Sequence, residues 1–388
     1  MTTTTTLPNA GATGTTPLKA LNTYGQSPWM DYIRRDLLLG GGLKKMIDQD
    51  GLRGMTSNPT IFEKAITGSK NYSDILESPD SKKLDAKGVY EKIAIRDVQD
   101  AADTFKGVYA ETKGRDGYVS LEVSPLLAND TQKTIDEARR LWKTVSRENV
   151  MIKVPATPEG IPAIRQLLED GININITLLF AQSAYEQVAE AFLSALEARV
   201  KKGQDVSKIA SVASFFVSRI DTLIDGQIEA KLKTETDPKK KELLQSIEGQ
   251  VAIANAKLTY KKYQELFGGA RWKALAAKGA QTQRLLWAST STKNPKYRDV
   301  LYVEELIGAD TVDTIPPATF DAFRDHGKLR NSLTENVDAA AKTMSDLEKA
   351  GISMKGATEK LVVDGVKLFA EAFDKLLDAT GKTAGVSA

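Results

Sequence analysis

Lys153 stands in a short apolar run, Val150-Met151-Ile152-Lys153-Val154, closed by Pro155. A run of that length, bounded by proline, reads as a buried strand. Lysine is almost never fully buried without a partner. Two explanations are open from this segment alone. One is a strand end whose ammonium snorkels out to solvent; the other is a desolvated amine placed to attack a carbonyl carbon. A free lysine amine, with a pKa of about 10.4, is neutral only about once in a few thousand at pH 7. Burial of such an amine raises its reactive fraction.

Groups that could serve an amine lie on neighbouring runs. Side chains on a strand alternate between its two faces. In Ile172-Asn173-Ile174-Asn175-Ile176-Thr177 the isoleucines share one face, leaving Asn173, Asn175 and Thr177 on the other. Val119-Ser120-Leu121-Glu122-Val123-Ser124 divides in the same way, with Ser120, Glu122 and Ser124 together. An antiparallel sheet with one wet face would also alternate, but the helical stretches between these runs would cover its outside. The polar faces must then point inward, where they cost free energy unless paired or used. Asp31, Asn58 in Thr56-Ser57-Asn58-Pro59, and Ser214 with Arg219 in Ser214-Phe215-Phe216-Val217-Ser218-Arg219 extend the set.

One lysine, two carboxylates, two amides and hydroxyls suit imine chemistry. A neutral amine adds to a ketone or aldehyde, water departs, and the iminium withdraws electrons so that a carbon–carbon bond two atoms away can break. Glu122 is the candidate for activating the water, and Asp31 for taking the proton of the substrate hydroxyl. Arg219 offers a bidentate fork to a phosphate. Ser289 and Lys293, in the hydroxyl-rich Ala288-Ser289-Thr290-Ser291-Thr292-Lys293, form a second candidate anion site; a loop rich in Ser and Thr for turn reasons is the alternative.

Composition narrows the chemistry further. The chain has 388 residues, 53 Lys+Arg against 51 Asp+Glu and a net charge of +2, so it carries no basic field suited to nucleic acid or an anionic membrane. It has no cysteine, which excludes disulfides, thiolate metal sites and a cysteine nucleophile. The single histidine, His326, cannot build a multi-histidine metal site, and Phe323-Arg324-Asp325-His326-Gly327 reads as a helix end. No metal and no organic cofactor is expected. No stretch approaches the roughly 20 apolar residues of a membrane span. The Thr-rich start lacks the apolar core of a secretory signal and is expected to be a disordered tail over 1–20, with a plastid transit peptide the weaker alternative for want of arginine. Cytoplasm is the expected compartment.

The elements that must position these groups follow from periodicity. Candidate strands fall at 28–33, 52–57, 118–123, 150–154, 172–177, 209–214, 284–288 and 311–315, separated by helix-like stretches. Asp130 is a plausible N-cap for a helix over Thr131–Arg147, whose apolar positions recur at helical spacing. Gln182–Lys202 and Lys231–Phe267 read as helical, the latter as two or three helices. Within it, Lys239-Lys240-Lys241 after Pro238 is expected to be a solvated turn. Met344–Leu377 would close the outer layer. Eight parallel strands with intervening helices predict a single α/β (β/α)8 TIM barrel with extra helices, spanning 21–380, with a flexible end at 381–388. Active sites in that fold lie at the C-terminal ends of the strands.

These motifs together resemble the transaldolase family, Schiff-base enzymes of the pentose phosphate pathway, over about residues 25–320. The resemblance implies Lys153 in Ile-Lys-Val-Pro-Ala-Thr as the Schiff-base lysine, Glu122 in Leu-Glu-Val-Ser as acid–base group, and Asp31 as the first-strand aspartate. It implies Asn58 from Thr-Ser-Asn-Pro-Thr, the fifth-strand pair Asn175 and Thr177 (the threonine helping to hold the catalytic water), and Ser214 and Arg219 as substrate ligands. Ser289 matches a serine after strand seven; the arginine that often follows it is absent here, and Lys293 is the substitute. Phe216 occupies a position where related aldolases that release free dihydroxyacetone carry a polar group, which favours transfer over release. The resemblance thus implies sugar-phosphate substrates; a monomer or homodimer is expected. Two other readings remain in view: a lysine aldolase with hydrolytic release, and a catalytically silent barrel that binds phosphosugars.

Overall fold

Eight strands form from the short apolar runs: β1 (Gln26–Asp31), β2 (Gly54–Thr56), β3 (Tyr118–Glu122), β4 (Val150–Pro155), β5 (Ile174–Leu179), β6 (Ser211–Phe216), β7 (Arg284–Ala288) and β8 (Thr311–Ile315). In the computed structural model, which describes residues 15–67 and 70–387, they pair in parallel and in sequence order, and β8 returns to β1 to close the barrel. Closure leaves no sheet edge unpaired. Every expected strand is present. β1 starts two residues earlier than hydropathy suggested because polar Gln26 joins it, donating to Thr311 Oγ1 and Leu306 O on the β8 side.

Helices cover the outside as parity requires. Asp130 caps Thr131–Val145 by accepting from Lys133 N, and Gln182–Lys201 follows β5. The charged insertion between β6 and β7 resolves into Ser218–Thr234, Pro238–Ile247, Val251–Gly268 and Ala270–Ala276. Lys239, Lys240 and Lys241 are solvated as expected, but they form the first turn of a helix rather than a turn between helices. Asp237 accepts from Lys239 N and Pro238 takes the first helical position, a start signal that outweighs the charge run. The closing segment is two helices, Val337–Lys349 and Met354–Ala384, separated at Gly351.

Among the described residues, both terminal segments contain ordered structure. Residues 1–14 lie outside the described residues, but Pro17–Leu21 is helical with Leu18 and Leu21 buried. Toward the C-terminus, Gly381 and Ala384 are buried within the last helix, and Ser387 O accepts from Ala86 N at 2.9 Å. Residue 388 lies outside the described residues. No helix among the described residues is long and apolar enough to cross a membrane.

The barrel interior is plugged at its N-terminal end. Arg284 pairs with Asp116 at 2.8 Å and donates to Ser27 Oγ, while Trp29 fills the space beside Gly54, where a Cβ would fall 2.4 Å from the indole. Above this plug the barrel opens at its C-terminal end, where a cavity is lined by Lys153 and Asp31 among others. The last helix lies across it: Gly365 abuts Leu178 at the irregular end of β5, and a Cβ there would meet Leu178 Cδ2 at 2.8 Å. That close approach brings Phe369, one turn further on, to the barrel mouth.

Candidate active site

Two layers of inward side chains rise above the plug. In the lower one, Asn175 Nδ2 donates to Ser120 Oγ at 3.0 Å, and Ser214 Oγ donates to Asn175 Oδ1 at 2.6 Å. This strut ties β3, β5 and β6 together across the interior. It rests on the inward parity read from Ser120 and Asn175. Asn173, of the same parity, lies just before β5, where its side chain donates to Glu148 O and Val150 O instead.

In the upper layer Glu122 and Lys153 are register partners on β3 and β4, and Lys153 is in turn the register partner of Asn175 on β5, whose side chain belongs to the strut below. Lys153 Nζ stands 3.5 Å from Glu122 Oε2, with the two side chains 7% and 5% exposed. Among the described residues its one hydrogen bond is long, 3.4 Å to Ser57 O, and Glu122 Oε2 has no hydrogen-bond partner. The amine is therefore close to its carboxylate without being locked to it. Burial raises the Glu122 carboxyl above its usual range, opposed by the Lys153 charge. Asp31 accepts from Thr56 Oγ1 at 2.7 Å; burial raises it too, opposed first by Lys153, then by the Thr56 bond and by Arg219 and Lys293. Burial thus favours the neutral form of both carboxyl groups, against the cations beside them. Thr177 Oγ1 is buried with no hydrogen-bond partner among the described residues.

The mouth is cationic. Arg219, in the first turn of Ser218–Thr234, lays its guanidinium over Phe216 at 5.3 Å and Phe369 at 5.8 Å. Among the described residues it has no ion pair or hydrogen bond. The loop after β7 is stitched to the start of its helix. Ser218 N donates to Ser289 O at 3.0 Å, and the two serine hydroxyls are 2.9 Å apart. Ser289 takes a positive φ of 57°, and Thr290 Oγ1 donates to Asp313 Oδ1 at 3.0 Å. Lys293 Nζ donates to Ser291 Oγ at 2.7 Å; burial and then the Arg219 charge lower its pKa, with Asp31 opposing. Two cations that repel each other across shared space are poised for an anion between them.

Of the residues singled out in the sequence, Asp31, Asn58, Lys153, Thr177, Ser214, Phe216, Arg219, Ser289 and Lys293 line one cavity of about 480 Å³ at this end of the barrel. Asn58 also caps Pro59–Thr67, its Oδ1 accepting from Ile61 N, which leaves its amide N–H groups for a ligand. Glu122 and Asn175 are absent from the wall. Glu122 sits beside Lys153, and Asn175 spends its amide on the strut below. His326 is far from this chemistry, at the end of Pro317–His326, between Asp299 and Asp325. Four groups escaped sequence reasoning. Phe369 closes over Lys153 Nζ at 5.7 Å, Lys64 adds a third cation, and Thr56 and Thr314 share a 2.6 Å hydroxyl contact. The i,i+4 pair Phe369/Phe373 after Gly365 was the only signal for the first.

Comparison with known proteins places the chain in a family. A family model described as Transaldolase/Fructose-6-phosphate aldolase matches residues 28–380. A transaldolase of Trichodesmium erythraeum is 48% identical over 367 residues, covering 94% of this chain and 97% of that protein. A Nostoc protein named Transaldolase 2 is 45% identical over 365 residues, covering 93% and 96% of the two chains. A transaldolase of Thiobacillus denitrificans is 43% identical over 363 residues, covering 94% and 99%.

Proposed function

The chain belongs to the transaldolase/fructose-6-phosphate aldolase family, and from that premise we propose how its site transfers a dihydroxyacetone unit between sugar phosphates through an imine on Lys153. The observation that carries the reading is the loosely held amine at 3.5 Å from a buried carboxyl group, beneath a mouth whose guanidinium is unpaired. Sedoheptulose 7-phosphate or fructose 6-phosphate serves as donor, and glyceraldehyde 3-phosphate or erythrose 4-phosphate as acceptor.

Lys153 adds to the donor ketone, and the carbinolamine hydroxyl leaves as water with a proton from Glu122. Asp31 takes the proton of the substrate hydroxyl two atoms from the iminium carbon. The carbon–carbon bond breaks, its electrons form the enamine, and the aldose phosphate departs. The enamine attacks the acceptor aldehyde, and Asp31 returns its proton to the new alkoxide. Water then adds to the iminium as Glu122 takes a proton back, with Thr177 Oγ1 as the hydroxyl that orients it. Arg219 and Lys293 hold the phosphate of donor and acceptor in turn, assisted by Ser289. Asn58 and Ser214 meet sugar hydroxyls, and Asn175 acts by fixing Ser214.

Transfer rather than release is favoured by Phe216, which packs on Phe180 at 5.2 Å, and by Phe369. Both are apolar walls that keep water from the enamine. The test is twofold. Lys153→Met is expected to abolish turnover in a coupled assay with fructose 6-phosphate and erythrose 4-phosphate, and retained turnover would sink the mechanism. Without an acceptor, free dihydroxyacetone should not accumulate beyond one equivalent; sustained release would make the protein an aldolase instead. The working assembly is a cytoplasmic monomer or homodimer, which light scattering and cell fractionation check; a larger oligomer or a membrane fraction would overturn it.

A further inference from the structure

The mechanism asks Glu122 to give and retake a proton while a sugar phosphate and Phe369 fill the mouth. Glu122 also faces a second space. A small cavity of about 10 Å³, separate from the substrate cavity, is lined by Glu122, Tyr90, Ser124, Glu137, Lys87 and Phe373 among others. That is the room of a single water. Lys153 does not line it. We propose that Glu122 exchanges its proton with solvent through this rear cavity, by way of the Tyr90 hydroxyl and the Glu137–Lys87 pair.

The residues of the route share one cavity. Glu122 itself lines the rear cavity, and its Oε2, 3.5 Å from Lys153 Nζ, has no hydrogen-bond partner among the described residues, so the carboxyl group is not locked to the amine in front. Tyr90, 6% exposed, is held edge-on between Phe62 at 5.6 Å and Phe373 at 5.7 Å, and its hydroxyl has no hydrogen-bond partner among the described residues. A buried tyrosine usually finds such a partner. Glu137 accepts from Ser124 N and from Lys87 Nζ, both at 2.7 Å, and the side-chain exposure climbs from 5% at Glu122 through 10% at Glu137 to 36% at Lys87. The charged groups facing Glu122 are Lys153 and Asp31 from within the barrel, with Lys87 and Glu91 of helix Ala86–Glu111, which also carries the titratable Tyr90, and Glu137 across the cavity. Burial first, then the charges of Glu122, Glu91 and Glu137, hold the Tyr90 phenol above its usual range. Tyr90 therefore stays protonated and passes a proton only by accepting one as it gives one. With donor bound and before water departs, the Glu122 carboxylate receives a proton from Tyr90 as Tyr90 receives one from the solvent side; once that proton has left with the carbinolamine hydroxyl, Glu122 stays carboxylate until it takes the proton of the hydrolytic water. Tyr90 is a positioning and relay group acting through Glu122 rather than on substrate.

One helix closes both cavities. Phe369 stands over Lys153 at the mouth, and Phe373, one turn later, walls the rear space beside Tyr90. Helix Met354–Ala384 therefore leaves the rear route in place when substrate blocks the front.

The proposal rests on the imine reading above, and the experiment separates the two. Full-length protein is mixed with fructose 6-phosphate, quenched with borohydride at millisecond intervals, and the adduct formation rate is measured across pH in H2O and D2O. Tyr90→Phe should slow imine formation about tenfold or more, enlarge the solvent isotope effect and shift the pH profile, with KM unchanged. Ala94→Val, which adds bulk to the same cavity and alters no ionisable group, should slow the same step. A Tyr90→Phe protein with unchanged rate and pH profile overturns the relay. So does a slower one whose pH profile and isotope effect match the parent. No adduct in the parent protein would overturn the imine reading itself.

Discussion

Asp313 offers a quantitative check on the packing behind the loop that follows β7. It is fully buried on β8 beside Trp287 of β7, accepts from Thr290 Oγ1, and its other oxygen has no partner. Burial raises its pKa from 3.8 to about 8, with the Thr290 bond opposing. Between those values the native protein holds a proton that the unfolded chain has released. The native state then binds more protons, so the unfolding free energy falls as pH rises, by about 1.4 kcal/mol per pH unit. The loss begins near the unfolded pKa and is complete above the folded one. The gross term is roughly 4 units, or about 6 kcal/mol, of which about 4 kcal/mol falls between pH 5 and 9. Asp313→Asn keeps a carbonyl for Thr290 and removes the titration. Urea unfolding of both proteins at intervals from pH 5 to 9 isolates the effect from other raised carboxyls such as Asp221, which is pushed up to about 7. The variant's advantage should grow by about 4 kcal/mol across that range and level off above pH 8. Parallel curves would refute the reasoning.

Other changes act on the site directly. Arg219→Met removes about two charge-assisted hydrogen bonds to phosphate, each worth roughly 1.5–3 kcal/mol, and should lower kcat/KM for fructose 6-phosphate about 10²- to 10⁴-fold. Fructose itself should lose less than about threefold, and an equal loss on both substrates would contradict the assignment. Thr177→Val replaces an unpartnered buried hydroxyl by an isosteric methyl, so thermal stability should hold or rise while imine hydrolysis slows about tenfold or more; a variant that loses stability at full activity would show the hydroxyl to be structural. Phe216→Tyr places a hydroxyl where the enamine is kept dry. Steady release of dihydroxyacetone without acceptor should appear, and its absence would count against Phe216 as the barrier.

The barrel was legible because its signals are local. Short apolar runs and their alternation set the strands, and parity alone turned Ser120, Glu122, Asn175 and Thr177 inward before any contact was known. Asn175 shows the limit of parity, which assigns a face but not a depth: its amide serves a strut below the cavity. The C-terminal helix was foreseen only as outer cover. Its role at the mouth depends on Gly365 against Leu178, a long-range contact with no periodic signature. Lys239–Lys241 misled because charge density says that a segment is solvated, not whether it is helical. The expected tails were composition arguments, and residues 17–21 and 381–387 are held by contacts that composition does not carry. Tyr90 was invisible in sequence, since an aromatic on an amphipathic helix reads as core.

The central claim is that the Lys153 amine forms the imine. Borohydride reduction in the presence of fructose 6-phosphate, followed by peptide mass spectrometry, tests it most directly. A single reduced dihydroxyacetone or fructose 6-phosphate adduct on the peptide containing Ile152-Lys153-Val154, lost in Lys153→Met, is the expected result. An adduct on Lys64 or Lys293, or none at all, would contradict it.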